Sequence, residues 1–277
     1  MWERRRLLVW GKTYPEFSKT YYETVCTGAI DETTGRLVRI YPITMRYSEN
    51  PPSLYSEIEA DIEKNPSDHR PESYRVEQNS IRIVGRLDSK DGWAARSRWV
   101  LAPSNVFRSV ETLREAQAAN GTSLGLVRPK EIRRIYAKYR SDEERAEWDA
   151  QREKALAQRD LFVDVETKTK DLRFVPIQYR VSFLCEDPAC VNGHDLSILD
   201  WGIYVLHRKQ FAQRGGPQAE RDVIGKLTEY TDPTRKDAYF FLGNTLAHPA
   251  NFMIVGIYYP PIPKPVEAPK QQRLFGV

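Results

Sequence analysis

At 277 residues, 29% charged and with a formal net charge of only +4, the chain is long enough for a sizeable core, and its charge alone marks no polyanion binder. No run approaches the ~20 apolar residues of a bilayer span, and Arg4-Arg5-Arg6 lacks the long apolar stretch that follows in a secretory signal. Three cysteines fit a reducing cytoplasm better than a disulfide framework, while fifteen tyrosines and six tryptophans suit stacking surfaces as well as cores.

In chain order, Arg6 to Lys12 reads as a first buried strand, with Gly11 marking its end or a bulge. Tyr21 to Ile30 and Arg36 to Tyr41 read as two further strands joined by a hairpin connection at Asp31 to Gly35, and Pro42 stops the second or sets it at an edge. Glu57 to Glu63 and Tyr74 to Leu87 form a second β region, broken by Pro66 and Pro71. Ser109 caps a helix over residues 109–119 that stops at Asn120-Gly121, Ile132 to Tyr139 is strand-like, and Asp142 to Gln158 is a charged helix with a solvated face. Phe174 to Cys185 and Ile198 to His207 read as strands, Pro217 to Glu229 as a helix, and Tyr239 to Tyr259 as two apolar strands. Without regular βαβ alternation, this is a mixed α+β fold with a mainly antiparallel sheet core. The core divides into residues 1–103 and 161–259, with a mainly helical insertion at 104–160 and a proline-rich tail at 260–277.

Cys185-x4-Cys190-x3-His194 is the clearest ligand cluster: two thiolates and an imidazole on one loop offer three corners of a zinc tetrahedron. Cys26 would complete a Cys3His set, with His207 and His248 as the other candidates; a structural zinc is the expectation, and a pair of buried cysteines beside a surface histidine is the alternative. Lys12, Arg39, Arg46 and Arg70 are candidate phosphate partners, and Tyr14, Tyr22 and Tyr41 offer stacking faces. Glu23 in its strand and Asp200, beside Trp201, are the candidate carboxylates. Trp201 would stack a flipped base while Asp200 stabilises charge at the anomeric carbon; equally, Asp200 could orient His194, and Glu23 and Arg39 could simply face solvent. Asn244 can read a base edge through a paired donor and acceptor, and His248 can move a proton near neutrality, although a Gly-Asn turn with a nearby histidine is also ordinary loop chemistry.

No Walker A loop, dinucleotide fingerprint, Gly-x-Ser-x-Gly elbow or deaminase pattern is present in the sequence, which argues against the corresponding enzymes. The tail ends in Gln271-Gln272-Arg273-Leu274-Phe275. This Gln-x-x-Leu-Phe pattern resembles the motif by which bacterial repair and replication proteins dock on the sliding clamp, with Gln271, Leu274 and Phe275 as its anchors. A second copy, Gln158 to Phe162, follows a helix and reads as core.

The blocks KTYPEFSKTYYETVCTGA, RIYPITMRY, DHRPESY, ILDWG and FFLGNTLAHPANFMIVGIYYPP together resemble a family of prokaryotic proteins largely without assigned function, over residues 8–261. They are also similar to bacterial antiviral DNA glycosylases that attack hypermodified cytosines in phage DNA, though no catalytic motif lays onto this chain residue by residue. That resemblance implies excision of a modified base to leave an abasic site, with modified DNA and the clamp as partners. The alternative is a non-enzymatic reader of modified nucleic acid.

Overall fold

The computed structural model describes residues 1–18, 22–43, 52–159 and 172–262. Its first part is a small barrel of β1 (Glu3–Lys12), β2 (Glu16–Ser18), β3 (Tyr22–Asp31), β4 (Leu37–Ile43), β5 (Ser56–Lys64), β6 (Ser73–Val76) and β7 (Arg82–Arg86). The strand order is β1-β3-β4-β6-β5, and β5 pairs back on β1, so Leu7 stands between Asp31 on one side and Ile58 on the other. Every pairing in this circuit is antiparallel except β4 with β6, where Arg39 lies opposite Ser73. One parallel pair closing a five-stranded Greek-key barrel in this order is the arrangement of an OB barrel.

Strand alternation explains the closure. Leu7, Val9, Val38, Ile40, Ile58 and Ile62 point inward and form the barrel core. Their neighbours Leu8, Trp10, Ile30 and Leu37 point outward, onto the second part of the molecule. Gly11 marks a bulge, since the β1–β3 register shifts between Val9 and Gly11. Gly28 is required on β3 because a Cβ there would come within 2.2 Å of the Trp10 ring. Pro42 does not end β4, which continues to Ile43; it lies past the last residue paired with β6, where no N–H is called on.

The second part begins with α1 (Ala94–Val100), β8 (Val106–Phe107), α2 (Val110–Asn120), β9 (Leu124–Val127), β10 (Pro129–Tyr139) and α3 (Asp142–Arg159). It continues with β11 (Ile177–Cys185), β12 (His194–Ser197), α4 (Trp201–Arg214), α5 (Gly216–Tyr230), β13 (Tyr239–Asn244) and β14 (Phe252–Tyr258). The strands make two sheets, β14-β13-β9-β8 and β10-β11-β12, linked by a bridge between Ile198 and Ile254. The fold is α+β, as the mixed pattern of elements implies.

Two expectations are corrected. Residues 104–160 hold the helices α2 and α3 but do not form an insertion apart from the core: β9 pairs with β13 and β10 with β11, so this stretch supplies a strand to each sheet. Ile198 to His207 is not a strand. Its apolar run fits either structure, but the Asp200 carboxylate accepts the Ile203 N–H at 3.0 Å and starts α4, whose Ile203, Tyr204 and His207 face the core. α2 keeps its expected limits, with a Ser109 capping box at its start and Gly121 at φ 79° at its end.

The two parts meet over a shared apolar layer in which Leu8, Trp10, Ile30 and Leu37 pack with Leu124, Leu126, Phe241 and Tyr258. Trp10 stacks on Phe241 at 4.0 Å and 7°. Asn105 clasps the seam: its side chain accepts from the Leu37 N–H at 3.2 Å and donates to the Gly35 carbonyl at 2.9 Å. Among the described residues, no helix is long and apolar enough to cross a membrane.

Candidate functional site

β4 alternates between two environments. Val38 and Ile40 enter the barrel, so Arg39 and Tyr41 must point out of it, beside Lys12 at the end of β1. Beyond the apolar layer these outward side chains wall a cavity of about 350 Å3. Its barrel side is built from Cys26, Gly28, Arg39 and Tyr41 on β3 and β4, Thr13 and Glu16 after β1, and Asn65, Ser67, Asp68 and Arg70 between β5 and β6. Oligonucleotides lie on these same strands and loops in OB barrels. The opposite side comes from Leu124 and from Gly243 to Leu246, which cap the surface and leave a pocket in place of an open groove.

The wall is rich in cations, and one of them, Arg39, makes no ion pair among the described residues. Arg39 is 6% exposed; its guanidinium donates to Ser73 Oγ at 3.3 Å and the Ser123 carbonyl at 3.2 Å, and it makes no ion pair among the described residues. Burial lowers its pKa, against the field of Cys26 and Glu72. The nearby Glu72 carboxylate is taken up by the Ser123 N–H and hydroxyl, at 3.0 and 2.7 Å. Lys12 donates to the Pro52 carbonyl, and burial pushes its ammonium down to about 8. Arg70 does have a carboxylate, forking onto Asp68 at 2.8 and 2.5 Å and reaching the Asn244 carbonyl at 2.7 Å. Burial raises the Asp68 carboxyl, but hydrogen bonds from Arg70 and Ser73 hold it down at about 2.

Two further groups complete the wall. Asn244 is buried and donates to the Pro249 carbonyl at 2.6 Å, while its Oδ1 has no partner among the described residues. Glu16 is exposed to the cavity yet surrounded by protein, which raises its carboxyl pKa, and it makes no side-chain hydrogen bond or ion pair among the described residues. Among the described residues, a buried cation without an ion pair and an acceptor without a donor suit an anionic, hydrogen-bonding ligand, while the Glu16 carboxylate would turn away its negative charge.

A separate cluster lies in the second part. Cys185 ends β11, Cys190 sits in the following loop, His194 opens β12 and Glu111 lies in the first turn of α2; their ligand atoms fall within 4.8 Å of one another. His194 Nε2 is 3.3 Å from Cys190 Sγ and 3.1 Å from Glu111 Oε1. Gly193 makes the turn at φ 73°, where a Cβ would meet the Phe183 carbonyl at 2.7 Å. Two sulfurs, an imidazole and a carboxylate at this spacing could hold a metal ion such as zinc.

The expected site residues therefore separate. Lys12, Arg39, Arg70, Tyr41 and Asn244 converge on the cavity, and Cys26 joins them there, not at the metal cluster. Glu111 takes the fourth corner assigned to Cys26, because α2 packs its first turn over the loop. His207 is bonded to the Tyr179 hydroxyl at 2.7 Å, and His248 is exposed. Asp200 is the cap of α4 and Trp201 its first residue; neither lines the cavity, and Asp200 does not orient His194, whose carboxylate is that of Glu111. Tyr14 lines a neighbouring cavity. Glu23 pairs with Phe17 through its backbone, and its side chain is outside the described residues, as are Arg46, Gln271, Leu274 and Phe275. Glu16 and Glu111 carry no local motif; only Glu16's place within the Lys12 to Cys26 block hinted at it.

Residues 3–102 match the family model described as a domain of unknown function, DUF8758, and residues 106–276 match another, DUF8757. The junction between them falls after α1, between the end of the barrel strands and β8. No curated protein matches the sequence. Since the second model covers more than half of its length, the chain belongs to the DUF8757 family, a domain of unknown function.

Proposed function

We propose that this protein takes one nucleotide of modified DNA into the barrel-face cavity and cleaves its N-glycosidic bond, leaving an abasic site in antiviral defence or repair. The single observation that carries the reading is Arg39: a buried guanidinium with no carboxylate partner among the described residues, on the face where OB barrels take nucleic acid. A phosphate between Arg39, Lys12 and Arg70 would supply the missing negative charge. Tyr41, 38% exposed and fixed by the Thr24 hydroxyl at 2.9 Å, offers a ring face to the base. The unpartnered Asn244 Oδ1 would accept from a base amine.

Glu16 is the carboxylate placed for chemistry. As the glycosidic bond breaks, positive charge develops on the sugar; a carboxylate stabilises it and takes a proton from the water that adds to C1′, while the base departs with the bond's electron pair and takes a proton from solvent, to which the carboxyl later returns its own. The reader alternative draws on a specific observation: Asp200 is committed to a helix cap and Asp68 to Arg70, so chemistry rests on Glu16 alone among the described candidates.

In the same reading, Glu111, Cys185, Cys190 and His194 hold a structural zinc, since four protein ligands leave no open position. The Gln271 to Phe275 motif docks the protein on the sliding clamp. The deciding experiment incubates the protein with modified and unmodified phage DNA and measures abasic sites and released base by mass spectrometry. Release from modified DNA only, lost by ~100-fold or more in Glu16→Gln with binding kept, is the expected outcome. Tight binding with no release would establish the reader; neither would overturn the nucleotide reading.

A further inference from the structure

A second cavity, of about 430 Å3, adjoins the first and shares Thr13, Glu16 and Leu199 with it. Its chemistry is different. Phe17, Trp148 and Phe174 line it, with Phe17 and Trp148 at 5.2 Å and 53° and Trp148 and Phe174 at 5.6 Å and 62°. Rings meeting at such angles wall a box and do not stack face to face. Among the described residues, Glu16, Glu144 and Glu147 also line it, against one guanidinium, Arg140, which already donates to Glu144 at 3.2 Å. The ring wall draws cations: the Arg145 guanidinium lies 4.9 Å from the Phe174 centroid.

We infer that this second cavity takes an organic cation, and that the cation is an aminoalkyl substituent on the modified base held next door. The inference rests on the nucleotide reading above and names its substrate class. An acidic aromatic box repels a phosphodiester, so the neighbouring nucleotide's backbone is excluded from it. An ammonium on a short alkyl arm satisfies both the ring faces and the carboxylates. Glu16, common to both walls, places the arm's point of entry beside the reacting nucleotide.

The test compares two oligonucleotides binding to the full chain by fluorescence anisotropy. One carries a single aminoalkyl pyrimidine; the other is the same strand after N-acetylation of that amine. The amine strand is expected to bind about tenfold tighter, a preference lost in Trp148→Leu and reduced in Glu147→Gln, while the acetylated strand binds all three proteins alike. Glu147 is exposed, so its conservative variant keeps the test valid should the tryptophan change disturb folding. Equal affinity for both strands, or a preference that survives both variants, would overturn the inference and leave the nucleotide reading standing. Binding of neither strand would overturn the nucleotide reading and this inference with it.

Discussion

The two buried polar clusters of this chain differ in what occupies their centres. Around Glu111, Cys185, Cys190 and His194 the polar atoms face one another within 4.8 Å, and a bare ion would fill the space between them. Lys12, Arg39, Arg70 and Asn244 instead line a cavity of about 350 Å3, which has room for a molecule and not merely for an ion. With a metal bound, the first cluster would serve stability, because its binding energy would be folding energy; in the second, Arg39 is a buried cation without an ion pair among the described residues, which costs stability.

This contrast is open to direct attack. The largest effect is expected from Cys190→Ser, which should remove one equivalent of bound metal by elemental analysis and lower stability by about 3 kcal/mol, or roughly 6–12 °C in Tm. A protein that carries no metal and loses no stability would erase the distinction. Arg39→Met should act in the opposite sense on the fold: removal of a buried, unpaired cation raises stability by about 1 kcal/mol while affinity for DNA falls ~100-fold. Lower stability with undiminished binding would mean that Arg39 serves the fold.

Asp200→Asn sharpens the comparison with a smaller and pH-dependent effect. Burial raises the Asp200 carboxyl from its ordinary 3.8 to about 6, against hydrogen bonds from the Ile203 and Gly202 N–H groups. A pKa raised by folding means that the folded state holds the proton more tightly, so stability contributed by this group falls as pH rises from 3.8 to about 6. Asparagine caps a helix equally well without the charge. The variant should therefore gain about 1 kcal/mol over the parent above pH 6 and lose that gain below about pH 4, with DNA binding unaltered. A loss of binding would return Asp200 to the ligand site.

Much of the fold was legible where the signals are local. Ser109 and Asn120-Gly121 punctuate α2 within a few residues of its ends, and the outward position of Arg39 follows from alternation along β4. Alternation, however, directs Arg39 to solvent unless something covers that face, and the cover comes from Leu124 and Asn244, far away in the chain. The convergence of Lys12, Arg70 and Asn244 likewise depends on barrel closure and on the docking of the second part. Glu111 lies 74 positions before Cys185, so no spacing rule could connect them. Asp200 and Trp201 misled because an apolar run with a leading acid reads alike as a buried strand and as a capped helix.

The seam at Asn105 has one more consequence. Family models divide the chain there, yet Asn105 itself is buried and bonded to the turn between β3 and β4. A polypeptide ending before it would leave Leu8, Trp10, Ile30 and Leu37 without Leu124, Leu126, Phe241 and Tyr258, and the Leu37 N–H without its acceptor. The two halves are thus interdependent during biosynthesis: the barrel emerges first from the ribosome but remains adhesive until β9, β13 and β14 have followed.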